Sequence, residues 1–378
     1  METNFGTSTP YSLGVEEEFQ LVDPVTLELV PAIEPILESV GAETIRERVE
    51  PELLQSIVEI STRIAVTVEE AVDELVDLRS RLSRIATGHG AALAAAGTHP
   101  FSRCDEQRVT DRPRYTELAD RLGWLAARQP VFGLHVHVGA GSAAKAVACA
   151  DGLRAHIPEL LALSANSPLW QGRPTGLAST RATILEDLPR SGLPPVLESF
   201  AAFEGFVERG VGAGCFPDYT QIWWDIRPHP RLGTVEVRVC DAQTRTSSVA
   251  AIVALLQSLA ATIGSAFECG ETLPVSPDLV LEENRRRAAR DGLEALLIDV
   301  ENDTERSAVE VIRALADRCA PAADALGCAE ELECVETILV CGNGAADQLH
   351  VYEETADPRA VTRWLVDETV RQPASAAA

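Results

Sequence analysis

Leu13–Asp23 reads LGVEEEFQLVD, a run of three glutamates set inside an apolar stretch. Leu13, Val15, Phe19, Leu21 and Val22 predict a strand, and a strand turns alternate side chains to opposite faces. Glu16 and Glu18 therefore share one face, and Glu17 takes the other. Like charges side by side on a sheet repel each other. The face holding Glu16 and Glu18 is either open to water, as on a solvated edge strand, or occupied by something positive.

The same alternation applies to three further segments. Strands are predicted over 12–22, 55–62, 131–139 and 233–241. In LLQSIVEISTR (Leu53–Arg63) Glu59 shares a face with Gln55, Ile57 and Ser61. In VFGLHVHVGA (Val131–Ala140) His135 and His137 share a face. In LGTVEVRVCD (Leu232–Asp241) Val235, Val237 and Val239 make a dry face, with Glu236, Arg238 and Cys240 opposite. If these polar faces line one cavity, the carboxylates in it need cations to stay ionised. Carboxylate oxygens with an imidazole describe a hard-cation site for Mg²⁺, or Mn²⁺ in its place. Magnesium in a polar sheet cavity points to a nucleoside triphosphate. The chain has neither GxxxxGK[ST] nor GxGxxG, which excludes a P-loop or Rossmann route to the phosphates.

Arginines supply the anion-binding side. WQGRPTGLASTRA (Trp170–Ala182) places Arg173 and Arg181 in a Gly/Ser/Thr-rich loop, and WWDIRPHPRLG (Trp223–Gly233) adds Arg227 and Arg231. Guanidinium forks bind carboxylates and phosphates in two-pronged fashion. Arg181 and Arg238, with small or apolar neighbours, are read as functional; Arg231 is read as a surface charge. Trp223 and Trp224 stand equally as core or as pocket wall.

The chain as a whole bounds the answer. Its 58 acidic against 32 basic side chains give a net charge of −26, and a single lysine, Lys145, stands among the basic ones. Such a surface stays hydrated where salt screens its self-repulsion, and a salt-rich cytoplasm is the expectation. Nucleic acid and anionic membrane are poor partners for it. No apolar run is read as reaching the ~18 residues of a membrane span, and the start is not read as a signal peptide. The nine cysteines lack CxxC spacing and are read as free thiols, with no zinc site at Cys328, Cys334 and Cys341. A long helix is predicted from Thr67, where TVEE is a capping box, with Val68, Val72, Leu75, Leu82 and Ile85 on one stripe. Further helices are expected near 115–128, 142–165, 195–209, 247–267, 279–297, 305–318 and 358–371. Alternating strands separated by long helical segments predict an α+β fold, one antiparallel sheet with a polar concave side and helices on its other face. The expected organisation is one domain over 1–370 and a disordered tail over 371–378.

LGVEEEFQLVD, SIVEISTR, AGTHPF, FGLHVHVG, ALSANSPLWQGRPTGLASTRA, WWDIRPHPRLGTVEVRVCD and ENRRRAARDGL, in that order, resemble the type 2 glutamate–cysteine ligases, or carboxylate–amine ligases, over about residues 12–370. The resemblance implies a glutamine-synthetase-like antiparallel sheet forming a cupped active site. It implies ATP-dependent joining of L-glutamate to L-cysteine through γ-glutamyl phosphate, with Mg²⁺. Carried over by position, Glu16, Glu18, Glu59, Glu236 and His137 match the metal ligands. Arg238, Glu59 and His137 match catalytic groups, and His135 stands behind them. Arg181, Arg173, Trp224, Arg227, Asn284 and Arg287 are expected to bind substrate or nucleotide. Cysteine as acceptor draws on the salt-adapted, archaeal-like composition; another amine stays open. A homodimer is compatible with the sequence. A metal-dependent hydrolase built on the HxH pair, or a non-catalytic binder, are the rival readings.

Overall fold

The computed structural model describes residues 1–271, 275–300 and 302–371. Its centre is a seven-stranded sheet built from β1 (Leu13–Val22), β2 (Val49–Pro51), β3 (Ile57–Ser61), β4 (Ala92–Ala94), β5 (Leu134–Gly139), β6 (Ile226–His229) and β7 (Thr234–Val237). The spatial order is β6–β7–β5–β1–β3–β2, with β4 pairing the far end of β1, and every pairing is antiparallel. The fold is therefore the expected α+β architecture on a large antiparallel sheet.

The dry face carries Val15 and Phe19 from β1, Val58 and Ile60 from β3, Val136 and Val138 from β5, and Val235 and Val237 from β7, all buried in one apolar cluster. Helices Val68–Gly88, Ala143–Arg154 and Thr246–Glu268 pack against it. The first begins at the predicted capping box: Thr67 Oγ1 accepts from Glu70 N at 3.2 Å, and Glu70 Oε2 accepts from Thr67 N at 3.4 Å. Glu17 points into this face and meets Arg79 of the same helix; both are 2–3% exposed. Arg79 Nε and Nη2 bind the two Glu17 oxygens at 2.9 and 2.5 Å, and its remaining hydrogens reach the carbonyls of Gln243, Thr244 and Thr369. A buried charge is tolerable only when paired and saturated in this way.

Several boundaries differ from the sequence reading. The segment 142–165 is two helices, Ala143–Arg154 and Ile157–Ser164, because Pro158 sits in the first turn of the second. Gly123, at φ 58°, separates Pro113–Leu122 from Trp124–Ala127. The segment 279–297 ends as a helix at Asp291 and continues into the ribbon Leu296–Asp299/Thr304–Ser307. The last predicted strand, 233–241, is shortened to β7 and runs on as an irregular stretch through Arg238–Asp241, and β6, which pairs with it as a hairpin, lies before the predicted segment. Helices Ala329–Cys341 and Gly344–Thr355 carry no strong periodicity and were not expected. Thr246–Glu268 corrects the expectation of no span-length apolar segment. It is long and apolar enough to cross a membrane, yet 83% of its most apolar stretch is buried inside the protein. A helix apolar all round is a core helix when its neighbours cover it. Of the tail expected over 371–378, all but Arg371 lies outside the described residues.

Candidate active site

Strand register gathers the polar positions into one row. β2 and β1 flank β3, so Glu50 and Glu18 both pair with Glu59. β1 sets Glu16 opposite His135. β5 sets His137 opposite Glu236, and β6 sets Arg227 on the other side of Glu236. Among the described residues, three groups offer ligand atoms within 4.8 Å of one another: Glu16, His137 and Glu236; Glu16, Glu59 and His135; Glu18, Glu52 and Glu59. They overlap through Glu16 and Glu59, so the row is a chain of adjoining oxygen-rich sites.

The charges in the row are strongly coupled. Burial, reinforced by Glu16 and Glu52, pushes the Glu59 carboxyl well above its ordinary range. Burial and the neighbouring Glu18 raise Glu52 to about 7. Burial also works against ionised Glu16, but His137 and His135 outweigh it and hold that carboxyl low. His137 Nε2 lies 3.4 Å from Glu16 Oε1 and 3.9 Å from Glu236 Oε1, while its Nδ1 is 3.0 Å from Thr234 Oγ1. The Nε2 atom is buried without a hydrogen-bond partner. His135 Nδ1 is 3.4 Å from Glu16 Oε2. Glu236 is held low against its burial by Arg227 and Arg238. A half-buried set of carboxylates, two of them driven toward the protonated form, with an orphaned imidazole nitrogen aimed among them, fits hard divalent cations.

Two cavities open on either side of the row. One, of about 120 Å³, is bordered by Glu18, Glu52, His135, Arg181, Trp223 and Arg238, with Leu53, Ile57 and Leu118 among its apolar walls. The other, of about 610 Å³, is bordered by Glu16 and His137, the hydroxyl residues Ser8, Ser12 and Thr62, and Arg48 and Arg63. A larger groove of about 1040 Å³ lies elsewhere, between Ala308–Leu326 and Ala329–Cys341, and contains none of the row.

The two arginines favoured from the sequence both reach the smaller cavity. Arg238 binds Glu236 Oε1 through Nη1 and is 21% exposed. Arg181 is buried; its Nη1 donates to Val239 O at 3.2 Å and its Nη2 to Arg238 O at 3.1 Å. Gly133 makes room for it, since a Cβ there would stand 2.4 Å from Arg181 Nη2 and 2.7 Å from His135 Nε2. The backbone N–H of Gly133 also donates to Glu18 Oε2 at 2.5 Å.

Other expected contacts are placed elsewhere. Arg227 is engaged on all three nitrogens: Nε donates to Glu236 Oε2 at 2.6 Å, Nη2 to Glu236 Oε1 at 3.4 Å, and Nη1 to the carbonyls of Tyr219, Thr220 and Ile222. It holds Glu236 in position and leaves no fork for a substrate. Trp224 packs in the core against Phe203 and Phe206, whereas Trp223 borders the cavity. Arg173 stands exposed on the ribbon Leu169–Trp170/Arg173–Pro174. Asn284 clasps the backbone of Ile298 with both amide atoms, at 3.0 and 2.7 Å, and Arg287 binds Glu283, Glu305 and Leu296 O. Of ENRRRAA it is Arg285 that connects to the cavity, and only indirectly, through a buried ion pair at 2.6 Å with Asp225, which borders it. Glu52 was missed from the sequence because it precedes β3 in an irregular segment, outside any alternating pattern.

Residues 12–366 match the family model described as glutamate–cysteine ligase family 2. A Rubrobacter xylanophilus protein, named as a candidate glutamate–cysteine ligase 2-3, is 44% identical over 369 residues, covering 98% of this chain and 100% of its own. A similarly named Solibacter usitatus protein is 38% identical over 358 residues, covering 95% of this chain and 93% of its own. The archaeal, salt-adapted affinity expected from composition finds no support in these relatives. Among solved structures, a Francisella tularensis glutamate–cysteine ligase in complex with AMP superposes with a TM-score of 0.68 at 14% identity, covering 96% of this chain and 88% of that one. A bifunctional glutathione synthetase from Pasteurella multocida superposes at 0.71 and 14% identity, covering 95% of this chain and 52% of that one. At this identity the superpositions speak for the fold alone.

Proposed function

The chain belongs to glutamate–cysteine ligase family 2, and we propose that it joins the γ-carboxylate of L-glutamate to the amine of L-cysteine at the expense of ATP. The carrying observation is the row of three adjoining ligand groups, two of carboxylates with an imidazole and one of carboxylates alone, with Arg238 at its edge, between two cavities.

In this reading the nucleotide takes the larger cavity, whose volume of about 610 Å³ suits a small-molecule ligand. Its hydroxyls and Arg48 offer polar contacts for phosphate and sugar. The related Francisella ligase is described with AMP, which favours an adenine nucleotide here. The acid substrate enters from the opposite side, where Arg181 and Arg238 face the row. Its γ-carboxylate then meets the γ-phosphate at the row itself. Transfer of the phosphoryl group converts a poor leaving group into a good one, and the amine then displaces phosphate from γ-glutamyl phosphate.

Two anions must be brought together for the first step, so the chain's work is positioning and charge compensation. Arg238 is aimed by Glu236 and carries positive charge to the meeting point. Arg227 keeps Glu236 from swinging away. Glu16, Glu18, Glu52, Glu59 and Glu236, with His137 and His135 beside them, would hold divalent cations. When bound, Mg²⁺ neutralises the phosphate oxygens. The apolar walls of the smaller cavity, Leu53, Ile57 and Leu118 among them, suit a small acceptor such as cysteine. The nine free thiols favour a reducing cytoplasm as the place of work.

Phosphate release from Mg-ATP and glutamate in molar KCl, with and without cysteine, tests the reading together with mass spectrometry of the products. Cysteine-dependent phosphate with γ-glutamylcysteine is the expected result. Phosphate release indifferent to cysteine moves the acceptor to another amine, and turnover without ATP would replace the ligase with a hydrolase.

A further inference from the structure

Several motif residues have no part in the row, and they converge on one buried carboxylate. Asp241, fully buried at the end of RVCD, accepts from Asn166 N at 2.8 Å and Ser167 Oγ at 2.7 Å on one oxygen. Its other oxygen accepts from Ser179 Oγ at 2.9 Å and lies 3.8 Å from Arg181 Nη1. The two serines pass the constraint on. Ser167 Oγ accepts the backbone N–H of Arg181 at 3.1 Å, and Ser179 Oγ accepts that of Ala182 at 3.2 Å, capping helix Thr180–Glu186. Gly97 of AGTHPF leaves the space for this carboxylate, because a Cβ there would stand 2.6 Å from Asp241 Cγ.

Arg181 is thus held twice, at its backbone through two hydroxyls and at its guanidinium through charge. The hold leaves donors over. Nε is buried with no hydrogen-bond partner, and each terminal nitrogen has one hydrogen beyond its single carbonyl bond. A buried donor without a partner is unfavourable unless a ligand supplies one. We propose that Asp241 is a positioning residue, which presents the spare donors of Arg181 to a carboxylate of the bound amino-acid substrate. The inference rests on the ligase reading for the identity of that substrate, and on the geometry alone for the coupling between Asp241 and Arg181.

The test has a structural and a kinetic arm. In crystals of the unliganded Asp241→Asn variant, the Arg181 guanidinium should leave the carbonyls of Arg238 and Val239; an unmoved guanidinium overturns the proposal whatever the kinetics. In solution, Asp241→Asn should raise the KM for glutamate by about tenfold or more, the scale of one charged hydrogen bond. The KM for Mg-ATP should stay within about twofold, inside ordinary context scatter for a group not touched. Combined with Arg181→Ala, Asp241→Asn should add no further effect, and independent, additive effects would overturn the coupling. Ser179→Ala, a milder change, should move the glutamate KM in the same direction and provides the reading if Asp241→Asn does not fold. If the unaltered protein does not use glutamate, the ligase reading fails, while the crystallographic arm still decides the coupling.

Discussion

Glu18 and Glu59 lie directly opposite each other in the β1–β3 register and, with Glu52, form one of the three ligand groups. Neighbouring half-buried carboxylates work against the fold unless one keeps a proton or a cation lies between them. Burial and Glu16 already hold Glu59 toward its protonated form. The folded protein should therefore gain stability from Mg²⁺, by a rise of a few degrees in Tm. Glu59→Gln should melt higher than the unaltered protein in EDTA, lose most of the Mg²⁺ response and release no phosphate. Scanning fluorimetry with EDTA and with MgCl₂ reads the first two. A full Mg²⁺ shift in the variant would remove Glu59 from the cation site.

Arg238 and Arg227 grip the same carboxylate, Glu236, but only Arg238 borders the cavity. Arg238→Ala should lower kcat by about 10²-fold or more, the scale for losing a charge-stabilising donor, with an unfolding midpoint near that of the parent. Arg227→Ala should lower both, because its guanidinium also ties the Tyr219–Ile222 turn. Arg173→Ala and Arg287→Ala, altered far from the row, should stay within about threefold of parent kcat/KM, as unconnected surface changes do. Steady-state rates beside urea midpoints separate the three patterns; a collapse of activity in Arg173→Ala would return that residue to the site.

How much of this was legible follows from which residues obey a short period. Glu16, Glu18, Glu59, His135, His137 and Glu236 are on strands, where one alternation rule fixes the face, so the row could be read before any coordinates. Glu52 sits outside a strand and had no rule to betray it. Arg227 shows the opposite failure. Its face was readable, but whether its donors were already spent depended on a turn eight residues upstream. Trp223 and Trp224 were ambiguous for the same reason as any strand pair: one must face in and one out, and the sequence does not say which. Arg79 did leave a signal. It interrupts the apolar stripe Leu75, Leu78 and Leu82, as Glu17 interrupts the dry face of β1, and two misplaced opposite charges invite each other.

That pair carries its own prediction. Removing one partner leaves the other charge buried and unpaired, which typically destabilises by about 3–5 kcal/mol. Glu17→Ala and Arg79→Ala should each lose stability on that scale in urea unfolding, without altering the ligand groups on the opposite face. Glu17→Gln combined with Arg79→Met, which removes both charges, should recover more than half of the loss. A double variant as unstable as the sum of the singles would mean the pair matters for packing rather than charge.

His99, of AGTHPF, gives the clearest dependence on pH. Its Nδ1 accepts the backbone N–H groups of Phe101 at 3.2 Å and Ser102 at 2.9 Å, and its Nε2 donates to Leu27 O at 3.0 Å. That pattern requires the neutral ring, protonated only on Nε2. Burial lowers the group from the usual 6.5 to about 3, against a smaller opposing effect of the Leu27 carbonyl. Above pH 6.5 the ring is neutral in both the folded and unfolded chains, and its contribution to stability is complete. As pH falls below 6.5 the unfolded chain takes up a proton that the folded chain refuses, so stability declines by up to about 1.4 kcal/mol per pH unit until the folded group titrates near 3. His99→Gln should be less stable at pH 7 through the lost hydrogen bonds, by about 1–3 kcal/mol. It should also show a shallower loss between pH 6 and pH 4, by up to one proton's worth of slope. Urea unfolding of both proteins across that range isolates the difference from the carboxylates they share. Parallel curves would mean that the ring binds its proton in the folded state as readily as in the unfolded one, and that the two backbone donors do not hold it neutral.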